Sequence, residues 1–168
     1  RIASFKTIDD FRDHLEHLGL ELPADDAILT GGNSPLLKPI WFGDRTIGNR
    51  WCVQPMEGWD GTTTGGVTES MTRRWQRFGM SGAKLIWGGE AMAIRPDGRA
   101  NPHQLIINKA NQVGIASLRE GLVSAHRKRY GNTDDLLIGF QLTHSGRFSR
   151  PNEKKTLEPP IAYRHPLL

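Results

Sequence analysis

The chain has 168 residues, of which 37% are hydrophobic and 24% are charged, and its formal net charge at pH 7 is +4. This composition is typical of a globular domain and excludes a disordered or low-complexity chain. The basic residues stand beside 18 acidic ones and form no patch interleaved with aromatic side chains, so we expect no nucleic-acid partner.

The sequence also limits the compartment in which the protein works. Its one cysteine, Cys52, excludes a disulfide framework within this chain and any metal site built from several of its own cysteines. No apolar stretch approaches the roughly 20 residues of a membrane-spanning helix, and no signal-peptide pattern is present. We therefore expect a cytoplasmic protein with no membrane partner.

The first 38 residues are predicted to form a helix and a linker. Ile8 to Leu20 carries apolar residues at helical spacing, with Thr7 as a candidate N-cap. Residues 23–38 are rich in Gly, Pro, Asn and Asp, which is typical of a loop. Residues 39–48 have two short apolar arms around Gly43-Asp44, which predicts a β-hairpin with a tight turn.

From residue 49 onward, predicted strands and helices alternate. The strands are Trp51–Val53, Ala83–Trp87 and Leu136–Gln141, and the helices are Val67–Met80 and Ala110–Tyr130. In the second of these helices the residues expected on the buried face are Val113, Leu118, Leu122 and Ala125. Apolar strands separated by helices are the pattern of parallel βα units, so the predicted fold class is α/β.

The segment after the third strand, Gln141-Leu142-Thr143-His144-Ser145-Gly146-Arg147, is unusually polar for its place. Folds of this class put their chemistry at the C-terminal ends of strands. The polar groups either face a ligand crevice there or satisfy the backbone of the loop.

Motifs at the predicted strand ends resemble the old yellow enzyme family of FMN-dependent oxidoreductases. In chain order they are Gly48-Asn49-Arg50, Gln54-Pro55-Met56, Gly89-Glu90-Ala91 with Pro96-Asp97-Gly98-Arg99, and Gln141 to Arg147. The resemblance runs from about Pro39 to Arg147. It implies a (β/α)8 TIM barrel, of which this chain holds only the first three or so βα units, with FMN lying across the C-terminal strand ends.

The resemblance also implies a division of the chain. Residues 1–38 would be the N-terminal helix and linker. Residues 39–168 would be the N-terminal part of the FMN-binding barrel, comprising the hairpin that closes its opposite end, strands one to three and the loop after strand three.

The cofactor-binding residues that the resemblance implies are Pro55, Met56, Glu57, Ala91 and Gln141. The backbone of Pro55 and Met56 would lie against the flavin ring, and Ala91 matches a small residue near the pyrimidine side of that ring. Gln141 matches an amide that hydrogen-bonds the same side, as a group with both a donor and an acceptor can. Asn49, Arg50, His144 and Arg147 match residues that organise the backbone.

Two positions depart from the family pattern. Glu57 stands where Thr or Cys commonly donates a hydrogen bond near the flavin. Because an ionised carboxylate cannot donate, either Glu57 points away or the flavin has an unusual potential. Trp59 lies near a substrate-pocket Tyr of some members and lacks its phenolic proton. It either contacts the substrate or packs the rim of its loop.

The implied function is that of an enzyme in which NADPH or NADH reduces FMN, which passes a hydride to a small electrophilic acceptor such as an activated alkene. Since a closed barrel needs about 250 residues, we expect the chain to be the N-terminal part of a longer protein, with the catalytic residues downstream. The alternatives are a related flavin barrel acting on amines or dienoyl thioesters, and a non-catalytic barrel fragment that binds a partner. The oligomeric state stays open, a homo-oligomer included.

Other candidate sites are weak. The run Gly61 to Gly66 lacks the ending of a phosphate-binding P-loop. His103 and His126 lack a metal-ligand spacing, so no metal site is expected. The basic run His126 to Arg129 is predicted to be a solvated helix end.

Overall fold

The computed structural model of the chain describes residues 2–163 and 166–167. The chain divides into two compact units, Arg1–Pro35 and Leu36–Leu168. Helices α1 to α3 span Ile8–His17, Glu69–Met80 and Gln112–Tyr130, and strands β1 to β5 span Ile40–Phe42, Arg45–Ile47, Cys52–Val53, Leu85–Ala93 and Leu137–Thr143. Short 3-10 turns lie at Ile2–Ser4, Gly31–Asn33, Pro35–Leu37, Pro96–Gly98 and Gly146–Phe148.

The first unit is built on α1, whose start is fixed by a capping box. The hydroxyl of Thr7 accepts the N–H of Asp10 at 3.1 Å, and the Asp10 carboxylate accepts the N–H of Thr7 at 3.0 Å. Thr7 is therefore the N-cap, as predicted. The helix ends at His17, short of the predicted Leu20, because the N–H of Leu18 caps the last turn and Gly19 then adopts a φ of +64°.

The second unit begins with the predicted hairpin. Strands β1 and β2 pair antiparallel, with Phe42 opposite Arg45. The turn residue Gly43 has a φ of +60°, which a two-residue turn requires at its first position. The N–H of Gly48, just after β2, donates to the carbonyl of Asp135 at 3.0 Å, so the hairpin is fastened to the segment that leads into β5.

The sheet has three parallel strands in the order β3-β4-β5, connected by α2 and α3. This confirms the predicted α/β class with parallel βα units. The core between sheet and helices contains Met71, Trp75, Ala83, Ile86, Met92, Leu105, Ile115, Leu118 and Leu122. These side chains are the apolar residues of α2, α3, β4 and the segments beside them, as the periodicity indicates.

Strand β4 runs beyond the predicted end at Trp87. Its register to β5 shifts between the pairs Trp87–Gly139 and Ala91–Gln141, so four steps along β4 match two along β5. Gly88 makes this possible with a φ of +78°, and a Cβ there would lie 2.8 Å from the backbone nitrogen of Gln141. The glycines therefore form an irregularity within the strand rather than its end.

The predicted inner face of α3 is wrong at its start. Val113 is 77% exposed, and Ile115 is buried in its place. The buried positions Ile115, Leu118 and Leu122 continue one helical turn further to His126. The expected solvated end of α3 is therefore wrong for His126, which is fully buried.

His126 is held by hydrogen bonds at both ring nitrogens. Its Nδ1 lies 2.8 Å from the carbonyl of Gly79, and its Nε2 lies 2.9 Å from the ammonium of Lys84. Because the carbonyl can only accept and the ammonium can only donate, the ring is neutral with its proton on Nδ1. Burial is the main reason that the pKa of His126 lies below its usual value, and Lys84 lowers it further. Lys84 is in turn paired with Asp135 at 2.7 Å.

No helix within residues 2–163 and 166–167 is long and apolar enough to cross a membrane. The same residues contain no group of three His, Cys, Asp or Glu side chains placed to hold a metal ion.

Candidate functional site

The C-terminal ends of the three parallel strands bring the predicted cofactor-binding residues side by side. Ala91 on β4 is the register partner of Gln141 on β5. On the other side, the N–H of Ala91 donates to the carbonyl of Met56, just after β3, at 3.1 Å. Pro55, Met56, Ala91 and Gln141 are therefore neighbours across the three strands, and this group of residues is called here the strand-end surface.

The members of the strand-end surface differ in what they offer to a ligand. Met56 is 72% exposed, and Gln141 is exposed with no hydrogen bond from its amide to any described residue. Ala91 is buried, its N–H is used by Met56, and its carbonyl accepts the side chain of Gln104 at 2.8 Å. Ala91 thus contributes a small side chain rather than a free donor, whereas the amide of Gln141 is free to bind.

The two residues that depart from the family pattern lie on the segment after Met56. Glu57 is exposed, but partial burial still raises the pKa of its carboxyl. Trp59 is 46% exposed, and the ammonium of Lys154 lies 4.6 Å from the centroid of its ring. This is a cation–π contact that ties Trp59 to the loop after β5.

A buried ion pair lies behind the strand-end surface. Glu90 is fully buried and accepts two hydrogen bonds, one from the N–H of Gly58 and one from Nη2 of Arg74, the latter at 2.6 Å. The same Nη2 also donates to Asp60 at 2.9 Å. Burial raises the pKa of Glu90, while Arg74 and the Gly58 N–H act in the opposite direction. The sequence pattern did not predict this pair, although a carboxylate beside Ala91 in an otherwise apolar strand is a usable signal.

A buried amide connects the ends of β4 and β5. Nε2 of Gln104 donates to the carbonyl of Ala91 and, at 3.1 Å, to the hydroxyl of Thr143. Its Oε1 accepts the N–H of Ala100 at 2.7 Å. Gln104 was also missed, since it lies in an irregular loop where no periodicity marks a buried position. It holds the two strand ends at a fixed separation.

Arg99 fastens three loops at this edge of the sheet. Its Nη1 donates to the carbonyls of Thr63 at 2.8 Å and Pro102 at 2.7 Å, and its Nη2 donates to the carbonyl of Pro151 at 2.6 Å. Burial lowers the pKa of its guanidinium. The loops that follow β3, β4 and β5 thus share one anchor, which gives the strand-end surface a rigid rim.

The residues predicted to organise the backbone act as expected in two of the motifs. Asn49 donates to the carbonyl of Gly82 at 2.8 Å, and its Oδ1 accepts the N–H groups of Trp51 and Lys84. Nδ1 of His144 accepts the N–H of Gly146 at 3.0 Å. Within the polar segment from Gln141 to Arg147, His144 therefore satisfies the backbone of the loop. Gln141 lies on β5, and its amide has no hydrogen-bond partner among the described residues.

No family model and no curated protein matches the chain. Solved structures do match. An old yellow enzyme homologue from Zymomonas mobilis is 27% identical with a TM-score of 0.53, covering 67% of this chain and 28% of that one. The chain resembles the N-terminal portion of an old yellow enzyme. The old yellow enzyme from Trypanosoma cruzi, 24% identical with a TM-score of 0.53, covers 79% of this chain and 37% of its own.

Another match, 2-naphthoyl-CoA reductase, has a TM-score of 0.59 at 16% identity and covers 70% of this chain and 16% of that one. The chain therefore spans between about a sixth and somewhat over a third of these structures. The comparisons confirm the resemblance to old yellow enzymes, and the neighbours are oxidoreductases.

Proposed function

We propose that this chain forms the first flavin-contacting strands of an FMN-dependent oxidoreductase of the old yellow enzyme type. Its three parallel strands would belong to a (β/α)8 barrel. The observation that carries the proposal is the strand-end surface. There Met56, just after β3, lies beside Ala91 on β4 and Gln141 on β5, in the order that the family resemblance implies.

The residues of this surface fit a flat aromatic ring. The side chain of Ala91 is a single methyl group and is buried, so it adds little bulk to β4 at this point. The exposed amide of Gln141 can offer a donor and an acceptor to the edge of a pyrimidine ring. Pro55 and Met56 would contact the ring from the side of β3. Gln104 and Arg99 keep these elements in place, as a preorganised site requires.

Bound FMN would supply the hydride chemistry, with NADPH or NADH as reductant and an activated alkene or a similar electrophile as acceptor. The chain itself would bind and orient the ring through Gln141 and exclude water from the face that rests on Pro55 and Met56. Trp59, at the rim, would present an aromatic surface to the acceptor, and the contact with Lys154 would hold that ring in place.

The test uses the product of the complete reading frame, purified in the presence of FMN. We expect the yellow absorbance of bound flavin, bleached anaerobically by NADPH or NADH and restored by an acceptor from a panel that includes cyclohexenone and an enoyl thioester. The member of the panel that restores the colour identifies the acceptor class. A protein that folds but neither retains nor takes up FMN contradicts the proposal.

A further inference from the structure

The segment Pro55–Trp59, which would face the flavin, is held to β4 at two points. The N–H of Ala91 donates to the carbonyl of Met56 at 3.1 Å, and the carboxylate of Glu90 accepts the N–H of Gly58. Glu57 lies between these two attachments. The position of its backbone therefore depends on both.

The attachment at Gly58 is closely fitted. The carbonyl of Gly58 accepts a long hydrogen bond from the buried amide of Asn101 at 3.4 Å, so both its polar groups have buried partners. A Cβ added to Gly58 would lie 2.7 Å from atoms of Arg74, Asp60 and Glu90. The backbone at this point is packed directly against charged groups and has no room to shift toward them.

The charges around Glu90 explain how this attachment is maintained. A fully buried carboxylate is costly unless it is paired and hydrogen-bonded. Arg74 on α2 supplies the pairing charge at 2.6 Å, and the Gly58 N–H supplies a second hydrogen bond. Without Arg74 the charge of Glu90 would be unpaired, and without the Gly58 N–H one of its carboxylate oxygens would lose a donor. The ion pair and the backbone of the segment are thus coupled.

We propose that Glu90 is a positioning residue that, together with Arg74, sets the position of the Pro55–Trp59 segment against the cofactor. This inference rests on the proposed function, since it concerns the contact between that segment and FMN. The carboxylate does not reach the strand-end surface itself, because it is fully buried and directed to Gly58 and Arg74. It acts through the backbone, and small misplacements of a binding segment have large effects.

The experiment compares Glu90→Gln, Glu90→Ala and the control Glu120→Gln, which changes an exposed carboxylate on α3, all in the product of the complete reading frame. Glu90→Gln keeps the size of the side chain and one acceptor oxygen. Its amide N–H₂ cannot accept a hydrogen bond, so either the Gly58 N–H or Nη2 of Arg74 loses its acceptor. We expect Glu90→Gln to weaken FMN binding about tenfold, as loss of one charge-assisted hydrogen bond does. Glu90→Ala should weaken it further, and Glu120→Gln should not.

Two further measurements separate positioning from a purely structural role. The flavin midpoint potential and the pH profile of FMN binding should shift in Glu90→Gln, together with any fall in its unfolding temperature that loss of the buried charge causes. A lower unfolding temperature with unchanged FMN affinity and potential overturns the proposal. If the Glu90 variants do not fold, Arg74→Lys is used instead, because it retains a positive charge beside Glu90. We expect it, too, to weaken FMN binding and to shift the flavin midpoint potential.

Hydrogen exchange of the Gly58 amide tests the inference without cofactor. We expect this amide to exchange about tenfold faster in Glu90→Gln than in the wild type, because its acceptor is weakened. If the wild-type protein binds no FMN, the proposed function fails, yet faster exchange at Gly58 still supports the attachment of the segment. Unchanged exchange overturns it.

Discussion

The contact between α2 and α3 predicts opposite effects for two glycine-to-alanine substitutions. A Cβ on Gly79 would lie 2.2 Å from the carbonyl oxygen of Leu122, where ordinary contacts begin at 3.4 Å. The helices would have to separate by more than 1 Å, and the Gly79 carbonyl would move away from His126. Gly121 on α3 is the matched control, because its nearest neighbour would be Cγ of Gln76 at 3.7 Å.

The balance between helix propensity and overpacking decides whether each substitution raises or lowers the free energy of unfolding. Alanine in a helix gains about 1 kcal/mol over glycine. Overpacking costs about 1–3 kcal/mol, and the upper part of that range applies to Gly79→Ala since a backbone atom cannot rotate away. We therefore expect Gly79→Ala to lose about 2 kcal/mol of unfolding free energy and about 4–8 °C in Tm. Gly121→Ala should gain up to about 1 kcal/mol.

The assay is thermal and urea unfolding of both variants beside the wild type, followed by circular dichroism. If Gly79→Ala is as stable as Gly121→Ala, the close approach of the two helices at Gly79 is not present in solution.

Two other predictions concern ionisable groups. Because the pKa of His126 is below its usual value of 6.5 in the folded chain, the unfolded chain binds the proton first, and stability should fall as the pH drops through 6.5. Urea unfolding between pH 5 and pH 8 measures this, and an equal fall in His126→Gln would contradict it. Glu57→Thr should raise the midpoint potential of bound flavin, since an ionised carboxylate opposes negative charge on the reduced ring. As the pH falls through the raised pKa of Glu57, the carboxylate becomes protonated, and the midpoint potential of the wild type should approach that of Glu57→Thr. Anaerobic redox titrations at several pH values measure both potentials, and identical potentials at every pH would refute this prediction.

The sequence predicted the order and type of the elements because the apolar strands and amphipathic helices are regular. The ends of β4 were missed, since Gly88 and Gly89 normally indicate a turn. Here the positive φ of Gly88 instead allows an irregularity within the strand. Val113 was placed in the core as an apolar residue, but it lies five positions before Leu118 and so about 140° away around the helix. Ile115, three positions before Leu118, shares its face and is buried.

The strand-end surface was predictable because parallel strands end at one edge of a sheet. Met56 follows β3, and Ala91 and Gln141 lie near the C-terminal ends of β4 and β5. The groups that support it were not. Glu90 and Gln104 are buried polar residues whose partners, apart from Ala100, lie 13 to 39 positions away along the chain. Such partners are brought together only by the folded backbone, and local periodicity carries no information about them.

The most direct test of the account is an equilibrium titration of FMN into the wild-type product of the complete reading frame and into Gln141→Leu. The variant removes a donor and an acceptor from an exposed side chain, so its Tm should be unchanged. The account predicts that the wild type binds FMN and that Gln141→Leu binds it at least about tenfold more weakly. Equal affinity in the two proteins, or no binding by a folded wild type, would contradict it.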